Sequence, residues 1–150
     1  MKKQTAYEFK IARVQEVGEV TAIVSPEEAV DYWRRVVEKR SWYQSNREHV
    51  ITIHLDAKNR ATGHHLVGVG TANECLAHPR DIFAAALCAS ASSVILMHNH
   101  PSGDPEPSRA DITLTNAVKS GGELLHVRLT DHVIVGSHSK FFSFREFGLL

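Results

Sequence analysis

The sequence predicts an α/β domain in which helices pack against a mixed central sheet. Three observations carry this. Residues 49–56 alternate, with Ile51, Ile53 and Leu55 on one face and Val50, Thr52 and His54 on the other, the period of a strand. Ser93-Val94-Ile95-Leu96-Met97 is short, uncharged and partly β-branched, as in a strand buried on both faces. Ser25-Pro26-Glu27-Glu28 is a helix start, with a serine cap, proline at the first helical position and glutamate at the third.

Taken in order, residues 1–24 alternate apolar and charged positions (Phe9, Ile11, Val14, Val17, Val20, Ile23) and read as an extended arm or edge strand, with residues 25–150 as the domain. As an edge strand, the arm is a surface that another chain can pair with. The helix that starts at Ser25 has an apolar face of Ala29, Val30, Tyr32, Trp33, Val36 and Val37 and should end near Arg40. Asp56-Ala57-Lys58-Asn59-Arg60 turns strand 49–56 into a second strand over 61–69. Pro79-Arg80-Asp81 opens an alanine-rich helix reaching about Ala91, and Ser108 opens another that Gly121-Gly122 should end. Three strands, 123–129, 132–136 and 140–144, complete the pattern.

Composition narrows the function classes. Lys and Arg together equal Asp and Glu, so the net charge is zero, which weighs against a nucleic-acid binder driven by basic excess. A basic cluster at Arg34, Arg35, Lys39, Arg40 and Arg47, with Glu38 among them, reads first as a solvated helix face. No apolar run approaches the roughly 18 residues of a membrane span, and no signal-peptide core follows Lys2 and Lys3, so a cytoplasmic chain is expected. Cys75 and Cys88 form no CxxC pair and read as small buried residues.

The chemistry gathers in His98-Asn99-His100-Pro101-Ser102-Gly103-Asp104-Pro105-Glu106-Pro107-Ser108-Arg109-Ala110-Asp111, where strand 93–97 ends. On an extended chain His98 and His100 project to one side, about 6.5 Å apart at the backbone, close enough to share a cation, while Asn99 faces away. Asp111, in the first turn of the next helix, would bring a third ligand and leave a position open for water, as in catalytic rather than structural zinc sites. The plainer alternative is that Ser108-x-x-Asp111 is only a capping box. A hydrolytic site also needs a base, and spacing alone does not choose among Glu48, Asp56, Glu74, Asp81 and Asp131.

The pattern His98-x-His100-x7-Ser108-x2-Asp111, with a glutamate opening an upstream strand, resembles the JAMM motif of the JAB/MPN metalloprotease superfamily, whose domain is cytidine-deaminase-like. The longer string HNHPSGDPEPSRADITLT, with His78-Pro79-Arg80, Asp131-His132-Val133-Ile134-Val135-Gly136 and Phe142-Ser143-Phe144, is similar to the RadC-like branch over residues 45–150. The family's usual Pro-Arg-Glu reads Pro79-Arg80-Asp81 here, and too few residues precede the JAB-like part for a helix-hairpin-helix region, so the short form is expected.

The resemblance implies a zinc ion held by His98, His100 and Asp111, with Glu48 as general base and Ser108 stabilising the oxyanion. Water polarised between zinc and Glu48 would attack a peptide or isopeptide carbonyl of an unknown protein substrate. Two other functions stand beside this one: a metal-dependent DNA-processing factor, and a non-catalytic interaction module that zinc merely stabilises.

Overall fold

In a computed structural model, which describes residues 16–70 and 77–150, the chain forms one six-stranded sheet flanked by helices. The elements run β1 (Thr21–Ala22), α1 (Pro26–Tyr32), a π-helical turn (Trp33–Val37), β2 (His49–Leu55), β3 (Arg60–Val69), α2 (Pro79–Cys88), β4 (Ser93–Asn99), α3 (Arg109–Leu125), β5 (Arg128–Val135) and β6 (Phe141–Ser143). The strand order is β1-β3-β2-β4-β5-β6, and only the β4–β5 pair is parallel. The α/β class with a mixed sheet is therefore as the sequence predicts.

Every residue of β2 and β4 is buried, which is why β4 carries an unbroken apolar run. Alternation divides their side chains between two cores. Ile51, Ile53, Ile95 and Met97 meet Ala29, Val30, Trp33 and Val37 of α1 and its π-helical turn. Val50, Val94 and Leu96 meet Ile82, Phe83 and Ala86 of α2 and Val118 of α3 on the opposite face. The antiparallel β2–β4 register pairs Val50 with His98, so His98 belongs to the face that α2 and α3 cover.

Several elements depart from the sequence reading. The first helix has its capping box, Ser25 Oγ accepting from the Glu28 N–H, but α-helical geometry ends at Tyr32 and the π-helical turn ends at Val37, short of Arg40. Both Trp33 and Val37 are fully buried there.

The largest correction concerns Gly121 and Gly122, which do not end their helix. It continues to Leu125 and stops at His126, a left-handed residue with φ of 56°. The expected strands 123–129 and 132–136 are accordingly one strand, β5, because Asp131 and His132 are buried with partners and make no turn.

Cys88, expected to be buried, is exposed near the end of α2, which itself stops at Cys88 rather than Ala91. Of the arm, β1 forms an edge strand on the start of β3 and Ile23 enters the core. Residues 1–15, and Glu74 and Cys75, lie outside the described residues.

Candidate metal centre

The centre forms where the chain leaves β4 and returns as α3, at the carboxyl end of the parallel pair, a usual position for sites in α/β sheets. His98 is the penultimate residue of β4, and His100 follows the strand, its N–H donating to the Val135 carbonyl at 3.0 Å. Residues 101–108 then form a turn-rich loop into the Ser108 cap of α3.

The side chains converge as the spacing predicts. The ligand atoms of His98, His100 and Asp111 all lie within 4.8 Å of one another, the one such cluster among the described residues. His98 Nε2 is 3.1 Å from His100 Nε2 and 3.1 Å from Asp111 Oδ1, and His100 Nε2 is 3.4 Å from Asp111 Oδ2. A tetrahedral ion with ligands at roughly 2.0–2.1 Å sets its donors about 3.3 Å apart, so the spacing fits a first-row cation such as zinc. The side chain of His98 is 2% exposed and that of His100 18%, which leaves access from the His100 side.

The capping alternative and the ligand reading turn out to be compatible. The capping box is formed: Asp111 Oδ2 accepts from the Ser108 N–H at 2.7 Å and from the Ser108 hydroxyl at 2.8 Å, while Ser108 Oγ accepts from the Asp111 N–H. These bonds hold the carboxylate with Oδ1 toward His98. Electrostatics agree with a charge-balanced cluster. Burial pushes the Asp111 carboxyl up, but hydrogen bonds from His100 and His98 outweigh it and hold the group well below the usual carboxylate range. The hydrogen bond to Asp111 raises His100 in turn.

Glu48 immediately precedes β2 and is buried. Extending the β2–β4 register by two residues places it across from His100, on the same face, and its charge contributes to raising His100. It is not one of the three clustered donors. The other carboxylates considered lie elsewhere or lie outside the described residues, as Glu74 does. Asp56 closes the β2–β3 turn on Arg60, Asp81 is exposed on α2, and Asp131 accepts from the Ser143 hydroxyl at 2.6 Å. Asp131 also lines a cleft of about 420 Å³, with Ile23, Pro26, Leu55 and Ile95, that shares no residue with the cluster.

The supporting roles of four residues escape sequence reasoning. Asn99 faces away from the histidines, as expected, but its side chain grips β2: Oδ1 accepts from the His49 N–H at 2.9 Å and Nδ2 donates to the Arg47 carbonyl at 3.0 Å. His49 Nδ1 donates to the same carbonyl at 2.9 Å, so the peptide groups on both sides of Glu48 are held. His132 and Thr115 stand behind His98, with His132 Nε2 2.9 Å from His98 Nδ1 and Thr115 Oγ1 2.6 Å from His132 Nδ1. The sequence signals for His132 are its place at the head of the apolar run Val133-Ile134-Val135 and within a string that resembles the RadC-like branch. Complete burial pushes its imidazole well below the usual value, and it stacks on Phe144 at 4.7 Å between ring centres.

The basic cluster is largely engaged within the fold. Arg34 bonds to Glu38 and to the carbonyls of Gly136 and His138, Arg35 to Asp31, and Arg47 to the Gly70 carbonyl. No helix among the described residues is long and apolar enough to cross a membrane.

Residues 23–149 match the RadC-like JAB domain. A UPF0758 protein of Chlorobaculum parvum is 50% identical over 105 residues, which is 70% of this chain and 47% of the relative. One from Thermotoga maritima is 52% identical over 104 residues, 69% of this chain and 46% of the relative. One from Methanosarcina mazei is 41% identical over 107 residues, 71% and 46% respectively. The chain thus spans about half the length of these curated relatives, and their names state no activity.

Proposed function

The chain belongs to the RadC-like JAB domain family, and from that premise we propose that it is a zinc-dependent metallohydrolase acting on a peptide or isopeptide bond. The observation that carries the reading is the convergence of two imidazoles and a carboxylate at separations of 3.1–3.4 Å, with an approach from the His100 side. His98, His100 and Asp111 would hold the ion. Bound there, zinc supplies a Lewis acid that brings the pKa of a coordinated water to about 7.

The remaining steps fall to the chain. Glu48, buried and across from His100, takes the proton of the attacking water and returns it to the leaving amine. Ser108 offers a hydroxyl to the developing oxyanion; that proton now goes to Asp111 Oδ2, so the role requires the hydroxyl to rotate. Protein or peptide is the proposed substrate class, and the largely internal pairing of the basic cluster adds nothing in favour of DNA processing.

Metal content tests the centre first. Elemental analysis should find near one zinc per chain in the wild type and a loss of most of it in Asp111→Ala. Glu48→Ala should keep its zinc and lose hydrolysis of a mixed peptide and isopeptide library. Absence of zinc after the metal is supplied would leave Asp111 as a helix cap and favour a non-catalytic scaffold without metal; retained hydrolysis in Glu48→Ala would remove the proposed base.

A further inference from the structure

Behind His98 runs a line of hydrogen bonds whose direction follows from its far end. The backbone carbonyl of Asp111 can only accept, so the Thr115 hydroxyl, 2.6 Å away, donates to it. With its one proton committed, Thr115 Oγ1 is left to accept from His132 Nδ1 at 2.6 Å. The His132 ring is fully buried against Phe144 and has no carboxylate partner, Asp131 Oδ1 taking only the backbone N–H of His132, so the proton that Thr115 accepts sits on Nδ1 and Nε2 is left to accept. Its Nε2 then holds a lone pair, and at 2.9 Å it accepts from His98 Nδ1. With Nδ1 committed to His132, Nε2, the His98 atom that faces Asp111 and His100, is the nitrogen left for a cation to take from its hydrogen bond with Asp111.

We propose that His132 and Thr115 are positioning residues that keep the His98 proton on Nδ1, so that Nε2 presents its lone pair to a cation. The inference rests on the metal-centre reading above. Most histidine ligands hand their second ring proton directly to a carboxylate, a carbonyl or water. Here His98 reaches a carbonyl through an imidazole and a hydroxyl, and that carbonyl belongs to Asp111, another member of the cluster. The line therefore joins the strand that carries one ligand to the helix turn that carries another. His100 needs no such chain, because its Nδ1 donates to the Asp104 carbonyl at 2.8 Å.

The test uses Thr115→Val, which removes the hydroxyl at nearly constant shape, and Thr115→Ser, which restores it. Two measurements are made on the full chain: zinc affinity by competition with a chromophoric chelator, and the protonated ring nitrogen of each histidine by nitrogen-15 NMR with and without zinc. Wild type should show His132 protonated at Nδ1 in both states and, with zinc bound, His98 protonated at Nδ1. Thr115→Val should lose that His132 signature and bind zinc about 10–100-fold more weakly, and Thr115→Ser should recover both. A wild-type His132 protonated at Nε2, or a Thr115→Val variant that binds zinc as tightly as wild type, overturns the inference while leaving the metal centre standing. A wild type that takes up no zinc instead overturns the metal-centre reading, and the positioning role with it.

Discussion

Replacing Gly121 and Gly122 one at a time by alanine should change stability in opposite directions. Both lie within α3 and neither has positive φ, so alanine gains about 0.8–1.0 kcal/mol of helix propensity at either position. At Gly121 the new Cβ would have Phe83 Cε2 at 3.4 Å as its nearest neighbour, an ordinary contact, and most of the gain survives. At Gly122 it would lie 2.5 Å from the Val127 carbonyl oxygen and 3.1 Å from Phe83 Cζ. The Val127 N–H also donates to the Gly122 carbonyl at 3.0 Å, so that segment cannot retreat without stretching the bond. Overpacking of this kind costs about 1–3 kcal/mol, and backbone contact puts it at the upper end. Gly121→Ala should thus gain about 0.5–1 kcal/mol and Gly122→Ala lose about 1–2 kcal/mol net. At about 2–4 °C per kcal/mol for a chain of this size, thermal unfolding followed by circular dichroism resolves the two. If both variants lose stability, the glycines end the helix as their sequence implies. If both gain, α3 does not approach Val127 so closely.

Acid should weaken the fold through His54. Burial, with the charges of His65 and His64 adding, holds its imidazole at about 4, below the ordinary 6.5. The unfolded chain then binds the extra proton between those values, so stability falls as pH drops from 6.5 and levels off below about 4, with a ceiling of about 3 kcal/mol. Urea unfolding at pH 7.5 and pH 5 should show a smaller loss in His54→Gln than in wild type; equal losses would rule this histidine out. Gly136→Ala should act on the candidate metal centre at a distance, because its Cβ would come within 2.6 Å of the Gly103 carbonyl oxygen and 2.9 Å of Pro105 Cδ. That pressure falls on the loop whose Asp104 carbonyl orients His100, so zinc affinity should drop about tenfold or more while unfolding stays cooperative. Unchanged affinity would show that the loop is set from elsewhere.

The legible parts of this fold are those governed by local rules. The Ser25 cap, the alternation of β2, the apolar run of β4 and the two-residue period that puts His98 and His100 together all depend on neighbours in the chain. What misleads is tertiary. Glycine is the commonest residue just past a helix end, yet Gly122 is required by the close passage of Val127, and the true end at His126 carries no glycine. Asp131 looks like a break between two strands because buried charge is rare in a strand, and His132 then looks like the start of the second. Ser143 and Arg145 satisfy the one, Thr115 and His98 the other, and none of those partners is adjacent in sequence. The candidate ligand triad spans 98 to 111 and is readable as one motif, whereas the line behind His98, through His132 and Thr115, lies beyond it on β5 and α3.

The grip of Asn99 on β2 has an evolutionary consequence. The three hydrogen bonds of this clamp go to backbone groups of the neighbours of residue 48, Arg47 and His49, rather than to the Glu48 carboxylate. The side chain at that position can be exchanged without dismantling the clamp that places it. A lineage could silence or restore the proposed hydrolysis by one codon change while keeping the backbone that surrounds the cluster. For the same reason Glu48→Gln is the natural variant with which to trap a substrate of the proposed hydrolase, since it alters the charge and leaves the clamp's hydrogen bonds in place.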